Sequence, residues 1–303
     1  MSNLQQEIQS LKKSRNAVIL AHTYQPSEVQ DIADYVGDSY GLSVEASRIG
    51  ADLIVFCGVK FMAETASILN PARKVVLAEP DAGCPMADMI EADELRKLKS
   101  QYPDHLVMCY VNSTAEIKAE SDVCCTSSNA VKIAGKLPEE RGIIFVPDKH
   151  LGSFVQEKTG RKMVFWDGFC PIHQKINPDM INRARTDYPD AVLLIHPEAP
   201  AECRKLCDHV LSTGEMCSFV KTSDHNQYVI ATEKGLLHTL KKQNPEKQFI
   251  ALSDNLICPN MKKGSLLSVK KALEGSGGEV ISVPADIAQR ASFSLKNMLE
   301  MSR

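Results

Sequence analysis

The chain has 303 residues, a formal charge of −3, 24% charged residues and 10 cysteines. It is long enough to bury a large core, and without a basic run it gives no reason to expect nucleic acid as a partner. Its longest apolar stretches, such as residues 16–21 and 191–195, are strand-length and too short to span a bilayer, so no membrane is expected as a partner either.

In chain order, residues 4–15 form a polar segment with helical character and no hydrophobic core of the kind a signal peptide needs, which leads us to expect a cytoplasmic protein. An apolar run then leads into His22-Thr23-Tyr24, followed by Asp34, Ser39, a strand-like run Leu53–Cys57, the run Lys74-Val75-Val76-Leu77 and the pair Cys84-Pro85. The same order recurs twice. Tyr110-Val111-Asn112, Asp122, Ser127, residues 142–146 and Cys170-Pro171 form the second copy. His196-Pro197-Glu198, Asp208, Ser212, residues 228–231 and Cys258-Pro259 form the third. The Cys-Pro pairs fall at 84, 170 and 258, so 86 and 88 residues apart, where composition alone gives about 0.5 such pairs in total. Several markers sharing one period define an internal triplication.

Each copy alternates short β-branched runs with helical stretches, which implies parallel strands joined by right-handed crossovers. The expected fold is α/β: three pseudo-three-fold-related three-layer αβα domains with small parallel sheets around a central active site. Their expected bounds are 1–103 (completed by 276–303), 104–189 and 190–275. Helical periodicity predicts helices over 86–99, 172–185 and 261–273, each starting just after a Cys-Pro pair.

Proline suits the first position of a helix, so Cys84, Cys170 and Cys258 are expected at helix N-caps, where the helix dipole favours a thiolate. Strand carboxyl ends are where open α/β sheets bind ligands, and a three-fold arrangement would aim the three thiols at one locus. Three soft ligands suit a 4Fe–4S cluster with one open iron, or zinc, which would want a fourth ligand. Three inert capping cysteines are the remaining alternative. The other cysteines lie in or beside apolar runs and are expected to be buried thiols. Around the cysteines, His22, Tyr24, Tyr110, Asn112, His196 and Glu198 share equivalent positions after each first strand, and His173, three residues past Cys170, is expected to face the site with the substrate-binding set. Ser39, Ser127 and Ser212, with Thr213, are expected to cap helices whose N-termini would favour an anionic ligand.

Those residues carry a family resemblance over nearly the whole length. His22-Thr23-Tyr24-Gln25, Gly37-Asp38-Ser39-Tyr40, Ala82-Gly83-Cys84-Pro85-Met86, Tyr110-Val111-Asn112, Gly168-Phe169-Cys170-Pro171-Ile172-His173 and His196-Pro197-Glu198 resemble the motifs of the quinolinate synthase family. The resemblance implies condensation of iminoaspartate with dihydroxyacetone phosphate to quinolinate, in the de novo route to NAD, with an aspartate-oxidising enzyme supplying the imino acid. It implies one 4Fe–4S cluster on Cys84, Cys170 and Cys258, and substrate-binding residues at His22, Ser39, Tyr110, Asn112, Ser127, His196, Glu198, Ser212 and Thr213. A Cys-x-x-Cys-x-x-Cys motif of some members is absent, since Cys258 is followed by Pro259-Asn260-Met261. Glu198 is the expected general base, with a carboxyl raised by enclosure; Tyr24 and His196 are the expected proton donors or orienters of enol intermediates. Another cluster-dependent hydro-lyase, an iron or oxygen sensor and a zinc hydrolase are the other classes in view.

Overall fold

A computed structural model describes residues 2–48 and 50–303. Its strands, in chain order, are β1 (Ala17–His22), β2 (Tyr35–Gly37), β3 (Leu53–Cys57), β4 (Lys74–Leu77), β5 (Leu106–Tyr110), β6 (Val123–Cys125), β7 (Ile143–Val146), β8 (Met163–Phe165), β9 (Val192–Ile195), β10 (His209–Val210), β11 (Gln227–Ala231), β12 (Gln248–Ala251) and β13 (Glu279–Val280). They form three parallel sheets, ordered β4-β3-β1-β2, β6-β5-β7-β8 and β10-β9-β11-β12, so each copy places its first two strands side by side and its third beside the first. The short β13 adds an antiparallel edge to the first sheet, against β4. Helices flank each sheet, as the triplication predicts.

The repeated aspartates explain part of this regularity. Asp34, Asp122 and Asp208 each accept the amide of a first-strand residue, Ile19 at 2.8 Å, Val107 at 2.7 Å and Leu193 at 2.8 Å. Each also donates its own amide to that residue's carbonyl, at 2.9, 3.1 and 3.1 Å. One side chain therefore pins the entry of every second strand to the first, satisfying an amide that would otherwise be left without a partner.

The structure corrects the predicted helices. Each Cys-Pro pair opens only a single turn, and regular helix resumes at Ala92–Gln101, Pro178–Asp187 and Leu266–Glu274. Local capping chemistry sets these starts. Glu91 pairs with Glu94, Asn177 precedes Pro178 and accepts from the Met180 amide, and Ser265 pairs with Ser268. Apolar spacing runs across the break, which is why periodicity alone merges turn and helix. These helices also cover the sheet that follows rather than the one before. Ile181 and Ala184 pack with Leu193 and Ile195, while Val269 and Leu273 pack with Ile19 and Val55, closing the ring back onto the first sheet.

Of the C-terminal segment, β13 joins the first sheet, while the helix Ala285–Met301 packs mainly on the second copy. Ser294 Oγ bonds to Lys118 O at 2.8 Å, and Asn297 donates to Asp122 O at 2.9 Å. Buried polar side chains join the copies. Lys118 reaches Phe61 O at 3.3 Å, Arg204 reaches His150 O at 3.1 Å, and Thr239 donates to Gln30 at 2.7 Å. No helix among the described residues is long and apolar enough to cross a membrane.

Candidate active site

The carboxyl ends of the strands from all three copies meet around one cavity of about 270 Å³. Cys84, Cys170 and Cys258 line it, one from each copy. The lining also includes His22 and Tyr24 after β1, Tyr110 and Asn112 at the end of β5, and His196 and Glu198 after β9. Ser39, Ser127, Thr213 and His173 complete the residues singled out in the sequence that reach it. Ser212 sits behind the wall, fully buried, capping the helix Thr213–Thr222 and bonded to Ser128 Oγ at 2.8 Å.

The capping expectation holds for Ser212 alone. Asp38 caps the helix Ser39–Ala46 through the Gly41 amide, and Asn129 stands at the cap of Ala130–Lys136. Ser39 and Ser127 thus keep their hydroxyls free of a capping role. The cysteines cap single turns rather than helices. Backbone amides two and three residues on face each thiol: Met86 and Ala87, Ile172 and His173, Asn260 and Met261. Burial is the larger effect and raises all three thiols, Cys84 to about 12, while those amides act in favour of the thiolate. Gly168 lets the Cys170 loop approach its strand, since a Cβ there would fall 2.4 Å from Pro147 O.

Beside the thiols runs a chain of close polar contacts. Tyr24 Oη lies 2.6 Å from Thr232 Oγ1, which lies 2.8 Å from His173 Nε2. His173 Nδ1 is 2.7 Å from Glu198 Oε2, angled away from a linear hydrogen bond, and Tyr110 Oη donates to Glu198 Oε1 at 2.6 Å. Burial opposes the charge of Glu198, but the imidazoles of His173 and His196 and the Tyr110 hydroxyl outweigh it, so its carboxyl is lowered, not raised as expected. Burial raises both phenols, and the Glu198 charge adds to the effect.

His22 and His196 repeat one geometry. Each accepts at Nδ1 the amide two residues ahead, Tyr24 N at 3.1 Å and Glu198 N at 3.3 Å. Burial pushes both imidazoles down to about 3, so they are neutral, and the tautomer set by those amides leaves N–H at Nε2. His196 Nδ1 and Glu198 Oε2, 3.8 Å apart, are therefore not an ion pair. Among the described residues, the buried Asn112 Oδ1 has no hydrogen-bond partner.

Several residues at this site carry no mark in the sequence. Thr232, the link between Tyr24 and His173, occupies the position of Gly58 and Pro147 in the other copies, so the repeat hides it. Glu233 and Lys175 line the cavity itself, as does Asp38 of the Gly37–Tyr40 motif. Among the described residues, donor atoms of Cys170, His173 and Glu198 all lie within 4.8 Å of one another, a candidate metal-holding group.

A buried relay ending in two phenols, enclosed beside three thiols, is the equipment of an enzyme, here one of the α/β class built by triplication. The family model described as quinolinate synthetase A protein matches residues 6–300. The chain is 48% identical over 295 residues to the quinolinate synthase of Dehalococcoides mccartyi (strain CBDB1), covering 97% of each. It is 47% identical over 303 residues to that of Caldicellulosiruptor saccharolyticus, covering 100% of this chain and 99% of the relative. With the Geobacter metallireducens quinolinate synthase the identity is 47% over 300 residues, 99% of this chain and 98% of the relative. The chain belongs to the quinolinate synthase family, and its activity is the making of quinolinate for NAD biosynthesis.

Proposed function

We propose that the chain condenses iminoaspartate with dihydroxyacetone phosphate to quinolinate, releasing phosphate and water, at a 4Fe–4S cluster held by Cys84, Cys170 and Cys258. One observation carries this reading: the three repeated cysteines open onto one cavity also lined by Tyr24, His173, Glu198 and Tyr110, which the buried Thr232 helps to link.

The residues fit such a group. Three thiols, one from each copy, line one cavity of about 270 Å³. The amides facing each sulfur suit a bound thiolate. When bound, a cluster with one open iron supplies Lewis-acid assistance to loss of hydroxide.

The protein's own groups handle the protons. With His173 Nδ1–H toward Glu198, Nε2 accepts from Thr232, and Thr232 in turn accepts from Tyr24. A proton taken up at Tyr24 Oη thus passes through Thr232 to His173 Nε2, and the Glu198 carboxylate offsets the charge that forms. Glu198 acts as the orienter and counter-charge of His173 rather than as the base itself. The Nε2–H groups of His22 and His196 donate to substrate oxygens. Asn112, Ser39, Ser127, Thr213 and Lys175 hold carboxylate and phosphate beside two helix N-termini, while Ser212 supports that wall from behind. The imino acid comes from an aspartate-oxidising enzyme, and the reaction runs in the reducing cytoplasm, where free thiols persist.

The test is anaerobic purification, iron and sulfide analysis, and quinolinate assay with an iminoaspartate-generating system. We expect about four irons per chain and broad visible absorption, both lost in Cys84→Ser, Cys170→Ser and Cys258→Ser. Quinolinate should form only when dihydroxyacetone phosphate is present. A wild type that rejects iron on reconstitution, or product formed without the triose phosphate, would overturn the reading.

A further inference from the structure

At the end of the third strand of each copy, a lysine amide donates to the carbonyl two residues before the cysteine. The pairs are Lys60 N to Ala82 O, Lys149 N to Gly168 O and Lys234 N to Leu256 O, each 2.9 Å. This contact ties every cysteine loop to its sheet. The residue preceding each lysine differs: Val59, Asp148 and Glu233. Val59 shows that the fold needs no carboxylate at this place. Asp148 directs Oδ1 to the amides of His150 and Leu151, at 2.8 and 2.9 Å, and so caps the helix Lys149–Thr159.

The Cys170 amide also faces the Asp148 carboxylate, but Glu233 adds a cation to this arrangement. It is fully buried, and its Oε1 accepts the Cys258 amide at 3.1 Å. Oε2 accepts the Gly235 amide at 2.6 Å, and Lys262 Nζ approaches Oε1 to 2.9 Å and Oε2 to 3.0 Å. Lys262 also donates to the backbone carbonyl of Tyr24, in the first copy. Beside it the Gln25 side chain donates to Met261 O at 2.8 Å. This ion pair, with Glu233 buried and 28% of the Lys262 side chain exposed, is a poor source of stability, because desolvation of the carboxylate takes back much of the Coulomb gain. Its presence where valine serves in the first copy therefore calls for a role other than holding the fold.

We propose that Glu233, paired with Lys262, is a positioning residue: it fixes the Cys258 amide so that the thiol faces the cluster site, and through Lys262 it sets Tyr24 against that ligand. This rests on the reading of Cys258 as a cluster ligand. Second-layer groups that orient a metal's ligands are worth about 10–100-fold in metal retention or activity.

The experiment uses the anaerobically reconstituted holoenzyme and follows bleaching of the visible absorption by an iron chelator, with iron content, KM and kcat measured alongside. Glu233→Ala should bleach about tenfold faster than wild type. Glu233→Gln combined with Lys262→Met keeps a neutral acceptor for the Cys258 amide without an orphaned ammonium, and should return the rate towards wild type. Asp31→Asn provides the control, because Asp31 joins the same two copies through Lys242 and His238, at 2.6 and 3.0 Å, without touching the cysteine loop. It should bleach like wild type. Should Glu233→Ala not fold, Glu233→Leu with Lys262→Met, an apolar pair lacking the acceptor, decides in its place by bleaching fast. Wild-type bleaching in the variant that lacks the acceptor, or equally fast bleaching in Asp31→Asn, overturns the proposal. A wild type that takes up no iron overturns the cluster reading and this proposal with it.

Discussion

The entries to the second strands and the ends of the first strands belong to the same triplicated unit, yet the three copies treat them in opposite ways. At the entries, Asp34, Asp122 and Asp208 make the same bond to the same position, with distances that agree within 0.1 Å. At the ends stand His22 with Tyr24, Tyr110 with Asn112, and His196 with Glu198, no two pairs alike. A strand entry meets the same problem in every copy, an amide to satisfy, and one carboxylate solves it three times. The strand ends face one another across a single cavity, where three copies of the same group would repeat a role instead of dividing the work. Tyr110 and Glu198 bond to each other at 2.6 Å because the two copies differ there.

That contrast breaks if changes at the two places have similar consequences. The largest expected effect is at the strand ends. Glu198→Gln should lower kcat by about a thousandfold, within the range for a lost acid–base partner, while cluster content and melting temperature stay near wild type. Full turnover in that variant would remove the relay from the reaction.

Next in size is an acid effect on stability. His22 and His196 have folded pKa values of about 3, so between that value and about 6.5 the unfolded chain binds protons that the folded chain does not. Stability therefore rises with pH across this window and is lost as pH falls through it, by about 2 kcal/mol per imidazole at pH 5. Urea midpoints at pH 7 and pH 5 measure the loss, and His22→Gln should show a smaller difference than wild type. An unchanged difference would mean that His22 is not held neutral.

The smallest effect is expected at an entry clamp. Asp122→Ala should cost about 1.5–3 kcal/mol of stability, the range for a hydrogen bond to a charged acceptor, with kcat per folded molecule unchanged. A fall in kcat without a fall in melting temperature would show that the clamp reaches the site after all.

Much of the molecule can be read along the chain because repetition is a one-dimensional signal. The spacing of Cys84, Cys170 and Cys258 locates three equivalent junctions, and the apolar runs place the strands close to where they form, as with Leu53–Cys57. The helix starts are misread because apolar periodicity does not register the break between the turn after Cys170 and the cap at Asn177. Thr232 and Glu233 are missed for the opposite reason: repetition points to likeness, and these residues matter where the third copy departs from the other two.

The sequence by itself determined the triplication, the α/β class, the three cysteines and the pairs of polar residues at the first strand ends, because each depends on residue type and spacing along the chain. Only the tertiary structure decided that Glu198 is held ionised between Tyr110 and His173, that Thr232 joins Tyr24 to His173, and that Lys262 ties the third cysteine loop to the first copy. Those relations join residues as many as 238 positions apart, and short-range electrostatics and hydrogen-bond geometry act only once the three sheets have brought them together.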